Sequence, residues 1–135
     1  MLLLCCKLSS TLILHSYRVD SNWSVRNIVV LNLRNNWLTD MLGLGLYNLP
    51  NLIELDLACN HFQGGVRPRS IPPSVQRLDL SFNDISDLKG LITCKDMLAL
   101  NLSHNSIRNA EFLPGKSLPH HYSNIVESAA THDLY

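Results

Sequence analysis

Four stretches of the chain repeat one pattern of apolar and polar positions. They begin at Ile28, Leu52, Val75 and Met97 and read IVVLNLRNNWL, LIELDLACNHF, VQRLDLSFNDI and MLALNLSHNSI. Each runs apolar, two variable positions, leucine, one variable, leucine, two variable, asparagine, one variable and apolar. Self-similarity at a regular spacing is the signature of a repeat architecture. The sequence therefore predicts a fold of about four stacked units.

Two leucines and one asparagine are identical in every unit. These positions are Leu31, Leu33 and Asn36; Leu55, Leu57 and Asn60; Leu78, Leu80 and Asn83; and Leu100, Leu102 and Asn105. Successive asparagines lie 24, 23 and 22 residues apart. The Leu-x-Leu alternation has a period of two, which sends both leucines to one face of a short strand. Because each unit can bury its leucines only against the next, stacking predicts a parallel sheet with an inward leucine ladder.

This pattern, over residues 27–113, resembles the leucine-rich repeat family. The resemblance implies an α/β solenoid: a short curved horseshoe with a parallel β-sheet on its concave side and irregular or short helical segments on its convex side. It also implies a structural, non-catalytic ladder of buried asparagines, formed here by Asn36, Asn60, Asn83 and Asn105. The 22-residue third unit resembles the phosphatase-regulatory and axonemal subclass of the family.

The segments that return from one strand to the next differ in composition. Glycines and prolines at positions 64, 65, 68, 72 and 73 exclude a regular helix from the second return and favour turns and extended chain. Arg67 and Arg69 there form either a small basic contact site or, by the simpler interpretation, part of a solvated loop. Cys94 is expected to be a buried residue of the convex side rather than a reactive thiol.

The ends of the chain fit the repeat less well. Residues 1–26 are interpreted as an N-terminal cap or an eroded repeat, because a solenoid needs its outermost leucines covered. The apolar opening MLLLCCKLSSTLIL leaves a signal peptide as the alternative. Residues 114–135 carry no further repeat and are expected to be a poorly ordered tail. The chain is either complete or a fragment of a longer protein.

Composition narrows the class of function. Lysine plus arginine and aspartate plus glutamate number 11 each, so no net field favours nucleic acid as a partner. The cysteines are Cys5, Cys6, Cys59 and Cys94, a spacing that suits neither a zinc site nor a disulfide framework and favours reduced thiols inside a cell. No run reaches the roughly 18 to 20 apolar residues of a membrane span.

The sequence contains no motif typical of a catalytic, metal or cofactor site. The six histidines lack the spacing of a metal site, and no phosphate-binding glycine loop or nucleophile elbow occurs. No catalytic residue, cofactor or metal is therefore predicted. Glycosylation sequons occur at Asn22 and Asn101, but Asn101 is expected within a crowded sheet, and such triplets arise often by chance, so neither indicates secretion.

The residues between and just after the leucines should point outward in columns down the concave face. The residues predicted to contact a partner there are Asn32, Arg34, Glu54, Asp56, Arg77, Asp79, Phe82, Asn101 and His104. A solenoid presents such a face as an extended binding surface. Trp37 and Phe82 are candidate aromatic anchors, although Trp37 is equally expected to pack onto the turn after its strand.

Together these features predict a non-catalytic protein–protein interaction module that binds a protein or peptide, is monomeric alone and lies in the cytoplasm. The subclass resemblance implies a regulatory or scaffold subunit of cytoskeletal or ciliary type. Two other functional hypotheses stay open. One is a fragment of an extracellular recognition receptor, and the other is a targeting domain truncated from a larger enzyme.

Overall fold

In a computed structural model of the chain, residues 3–5 and 27–108 are described. Five strands form one sheet in the order β1-β2-β3-β5-β7, and every neighbouring pair is parallel. These strands are β1 (Leu3–Cys5), β2 (Val30–Asn32), β3 (Glu54–Asp56), β5 (Arg77–Asp79) and β7 (Ala99–Asn101). A second, two-stranded parallel sheet joins β4 (Gln63–Gly65) to β6 (Asp84–Asp87). Short 3-10 helices lie at Leu46–Asn48 and Lys89–Thr93.

The strand register follows the repeat. Leu31 pairs with Leu55, Leu55 with Leu78, and Leu78 with Leu100, so equivalent residues of successive units stand side by side. The predicted parallel pairing and its columns are confirmed for these strands. β1 adds a strand before the first unit, because Leu3 pairs with Val30.

The inward leucines form the core. Leu57 and Leu80 are fully buried, and the first leucine of each repeat is at most 7% exposed. Apolar residues of the return segments close the core from the other side, among them Leu46, Phe62, Ile71 and Leu91. Burying such side chains contributes about 1.5–3 kcal/mol each. The core is therefore one continuous row shared between units.

The ladder asparagines Asn60, Asn83 and Asn105 each join their unit to the one before it. Asn60 Nδ2 donates to the Leu33 carbonyl at 3.0 Å and to the Leu57 carbonyl of its own unit at 2.9 Å. Its Oδ1 accepts from the backbone N–H of Leu38 at 3.2 Å. Asn83 and Asn105 make the corresponding bonds one and two units later. Asn36 and Asn60 are buried, whereas Asn83 and Asn105 are half-buried.

The return segments are short turns and extended pieces. The glycine- and proline-rich return after β3 contains no helix, as predicted, and Gln63–Gly65 forms β4. In the third unit the backbone N–H of Gly90 donates to the Val66 carbonyl at 2.9 Å, so two return segments are in direct contact. Cys94 is 2% exposed within the core, which confirms that it is a buried residue.

The parallel sheet, the repeat and the scarcity of helix fit a repeat solenoid. Horseshoe curvature stays a prediction. The proposed boundaries at residues 26 and 113 also stay predictions, because residues 6–26 and 109–135 lie outside the described residues. Within the part that is described, no helix is long and apolar enough to cross a membrane.

Candidate protein-binding face

Within the described part of the chain, one side of strands β2, β3, β5 and β7 is open, and we call it the sheet face. It consists of the outward residues of β2, β3, β5 and β7 with the residue that follows each strand's second leucine. A groove of about 710 Å³ runs across it. The groove is lined by Val30, Asn32, Glu54, Asp56, Arg77, Asp79, Ala99, Asn101 and Ser103, together with edges of the inward leucines. The structure thus brings most of the predicted contact residues onto one surface.

The last residue of each strand fixes the turn that follows it. Asp56 Oδ1 accepts from the backbone N–H of Ala58 at 3.0 Å, and Asp79 Oδ1 accepts from that of Ser81 at 2.8 Å. Asn32 and Asn101 make the same bond, to Arg34 and Ser103. Asp and Asn side chains commonly stabilise turns in this way. One carboxylate oxygen of each aspartate therefore accepts a turn hydrogen bond, and the other lies beside Arg34.

Two arginines pair with the acidic residues across strands. Arg34 Nη1 lies 3.9 Å from Asp56 Oδ2 and 3.8 Å from Asp79 Oδ2. Arg77 Nη1 lies 3.6 Å from Glu54 Oε1. These side chains are half-exposed, and such solvated pairs contribute only about 0–1 kcal/mol to stability. The pairs can therefore open at little cost when a charged partner group arrives.

The rim of the sheet face lies where the strands end, and its backbone is left-handed. The residue before each ladder asparagine has a positive φ; these are Asn35, Cys59, Phe82 and His104. Asparagine tolerates this conformation better than an aromatic residue does. The Phe82 side chain is nevertheless 49% exposed, and its ring stacks on His104 with centroids 4.1 Å apart.

A second stacked pair lies just after the ladder. Trp37 is 70% exposed, and its ring stacks on His61 of the next unit with centroids 4.9 Å apart. Trp37 therefore does not pack into the core. This contact was not predicted, because His61 was weighed only as a metal ligand. The signal was available, since both residues directly follow a ladder asparagine in successive units.

The remaining candidates lie away from the sheet face. Arg67 and Arg69 are exposed on the second return segment, and the Arg69 guanidinium carbon lies 5.8 Å from the centre of the Tyr47 ring. Burial raises the pKa of the Cys94 thiol, whose sulfur lies 3.7 Å from the Pro72 carbonyl oxygen. Neither group contributes to the groove.

The architecture defines a class: a parallel-stranded repeat solenoid whose units are joined by asparagines. The family described as Leucine Rich repeat matches this chain at residues 48–65 and 72–88. The two matched segments are leucine-rich repeats, and the same pattern recurs in the units that begin at Ile28 and Met97. The phosphatase-regulatory and axonemal subclass, which the third unit suggests, is not confirmed by these relatives.

The relatives are larger proteins. A calmodulin-binding receptor kinase of Arabidopsis thaliana is 33% identical over 94 residues, which span 64% of this chain and 14% of that protein. The serine/threonine-protein kinase BRI1-like 1 of the same plant is 39% identical over 85 residues, 59% of this chain and 7% of the relative. Human Toll-like receptor 6 is 32% identical over 91 residues, 67% of this chain and 11% of the relative.

The matches cover only a small part of each relative. The chain spans about a seventh or less of each relative, and the shared part is the repeat region, which is non-catalytic. Two of the three are named as receptors and none is named for the cytoskeleton or cilium. The expected cytoplasmic, cytoskeletal or ciliary location is thus unsupported, and the names favour the receptor alternative.

Proposed function

We propose that this chain is a non-catalytic interaction module that binds a protein partner through the sheet face. The observation that carries the proposal is the open groove across four parallel strands, which is lined by Glu54, Asp56 and Asp79. Leucine-rich repeats generally mediate protein–protein interaction, and a solenoid offers its sheet as an extended surface.

The charges of the face suit a partner with mixed charge. Arg34 and Arg77 hold the three acidic side chains only by long, half-exposed ion pairs. A basic partner group could replace either arginine at its carboxylate, and the displaced arginine could take an acidic group of the same partner. Such exchange contributes more to selectivity for a partner of complementary charge than to the affinity of binding.

The rim offers the apolar part of the contact. Phe82 occupies a strained backbone position without filling the core, and Trp37 leaves most of its ring in solvent. Aromatic residues at interfaces often cost about 2 kcal/mol or more of binding when truncated. We infer that these two rings anchor the partner at the carboxyl ends of the strands.

Charge reversal tests the proposal. The tagged chain and a face variant, carrying Glu54→Lys, Asp56→Lys and Asp79→Lys, are each used to capture proteins from lysate, with quantitative mass spectrometry as the readout. A control variant, with Asp40→Lys, Asp87→Lys and Asp96→Lys, has the same charge change elsewhere. It also removes comparable turn bonds, because Asp40 and Asp87 accept from backbone N–H groups two residues on.

The expected result is a partner held by the native chain and the control variant but lost from the face variant, with equal circular dichroism for all three. A milder variant, with Glu54→Gln, Asp56→Asn and Asp79→Asn, keeps the turns, since Asn32 and Asn101 already form them. Equal capture by native chain and face variant contradicts the proposal.

A second candidate function follows from the relatives. We infer that the repeats form part of a recognition surface outside the cell, as in a receptor, because the relatives include a receptor kinase and a Toll-like receptor. The competing hypothesis is a scaffold role inside the cell, which the resemblance to the phosphatase-regulatory and axonemal subclass suggests. Locating the endogenous protein by protease protection of intact cells distinguishes the two, since only an outer-face protein is digested.

A further inference from the structure

We propose that Asn101 is an acceptor for an N-linked glycan on the sheet face. The triplet Asn101-Leu102-Ser103 has the acceptor pattern of asparagine, any residue except proline, then serine or threonine. The inference rests on the second candidate function, because such glycans are added in the secretory pathway. It concerns residues that the partner-binding experiment does not alter.

The structure places both parts of the acceptor at the surface. Asn101 ends β7 and is exposed, contrary to the crowded position expected from the sequence. The Ser103 hydroxyl donates to Asn101 Oδ1 at 2.9 Å, and the Ser103 backbone N–H donates to the same oxygen at 3.1 Å. The hydroxyl that the acceptor pattern requires is thus held against the side-chain amide that would be modified.

The amide nitrogen of Asn101 can accept a sugar without losing its contact. Nδ2 carries two hydrogens, and its hydrogen bond within the described residues goes to Asp79 Oδ2 at 3.2 Å. Glycosylation replaces one N–H bond and leaves the other for Asp79. Asn60 shows the contrast, because it is buried and its Nδ2 donates to three carbonyl oxygens. Position 101 therefore accommodates the product within the folded repeat.

The glycan would be transferred to Asn101 from a lipid-linked oligosaccharide. Nδ2 forms a bond to the anomeric carbon of an oligosaccharide carried on a lipid diphosphate. The bond between that carbon and the diphosphate oxygen breaks, and the lipid diphosphate leaves. A base of the glycosyl-transferring enzyme takes the amide proton. No oxidant or reductant is involved.

A glycan here would restrict the binding surface. It would cover the β7 end of the sheet face, around Asn101 and Ser103, and leave β2 and β3 open. Arg34 and Asp56, which pair with each other, lie on the open side of the glycan, whereas Asp79 lies beside Asn101. The partner would then contact the first two units more than the last.

The test uses the full chain behind a cleavable secretion leader in eukaryotic cells. Ser24→Ala removes the other acceptor triplet, Asn22-Trp23-Ser24, so that any N-glycan reports on Asn101. We expect a slower-migrating band that peptide N-glycosidase collapses, with the sugar mapped to Asn101 by mass spectrometry. Adding Ser103→Ala should abolish the shift, and Ser103→Thr should retain it.

A matched control separates loss of the acceptor from loss of the turn. Ser81→Ala removes the hydroxyl contact to Asp79 Oδ1 on the neighbouring strand, at 2.6 Å, without touching the triplet, and should keep the glycan. A chain whose leader is cleaved but whose Asn101 carries no sugar overturns the inference. The absence of sugar at Asn101 leaves the binding proposal intact if the charge-reversed sheet-face variant still loses its partner.

Discussion

The side-chain amide of Asn60 lies 3.0 Å from the carbonyl oxygen of Leu33, 27 residues earlier in the chain. A second bond returns, since the backbone N–H of Leu38 donates to Asn60 Oδ1. One buried side chain thus supplies both a donor and an acceptor to the preceding unit. The asparagines satisfy backbone groups that the turn leaves without strand partners, and in doing so they couple neighbouring repeats.

Replacing Asn60 by alanine should weaken the whole repeat. The variant leaves the Leu38 N–H without its acceptor, at about 1–3 kcal/mol for a buried unsatisfied group. The Leu33 and Leu57 carbonyls each lose one donor but still accept from Asn36 and Asn83. Urea unfolding followed by circular dichroism measures the loss. Asn48→Ala is the control, because Asn48 is exposed at the end of a 3-10 helix. Equal stability of the two variants would contradict the ladder's role.

Gly90 should tolerate no side chain. A Cβ there would overlap the Val66 carbonyl oxygen and the Arg67 carbonyl group, all of them backbone atoms. Gly90→Ala is expected to lower the free energy of unfolding by about 1–3 kcal/mol, as overpacking does. At Gly43 a Cβ meets only the Asp40 side chain, which can rotate away. Gly43→Ala should therefore have a thermal unfolding midpoint near that of the native chain. If the midpoint of Gly90→Ala is as high, the backbone around position 90 can shift to admit a side chain, and the prediction is wrong.

Cys94 should make stability fall in alkaline solution. Burial raises the pKa of its thiol in the folded chain, so the unfolded thiol ionises first as the pH rises above about 8.5. The unfolded state then binds fewer protons, and stability is lost through the folded pKa. Unfolding at about pH 7 and about pH 10 should show a smaller decrease for Cys94→Ala than for the native chain. Identical decreases would argue against the shift.

Alkylation provides the independent check on Cys94. Because the side chain is 2% exposed, a thiol reagent should modify it in the native chain only through opening of the fold. Peptide mass spectrometry with and without urea measures its rate separately from that of the other cysteines. Fast modification without urea would mean that the core around Cys94 is open.

The repeat itself could be predicted because its signal is redundant. Leu31, Leu55, Leu78 and Leu100 occupy one position of four copies, and the parallel register follows from stacking equal units. The columns of the sheet face then follow from the alternation of side chains along a strand. Most of the candidate site was therefore accessible without a structure.

Two contacts between neighbouring units were not predicted. Gln63–Gly65 is fully exposed and lacks any alternating pattern, yet it pairs with Asp84–Asp87 because stacking sets the two segments side by side. Trp37 carries a large apolar side chain but stays outside the core, where it stacks on His61 of the next unit. Propensity describes one segment at a time, whereas these pairings arise between segments 21 to 24 residues apart.

The central claim is that a protein partner occupies the sheet face, and site-specific photo-crosslinking tests it most directly. A photoreactive phenylalanine analogue is placed at Arg77, which is exposed on β5, or at Ile92, which is 54% exposed in the 3-10 helix of the opposite return segment. We predict that irradiation in cells joins the captured partner to position 77 and not to position 92. Cross-links from position 92 alone, or equally from both, would contradict binding through the sheet face.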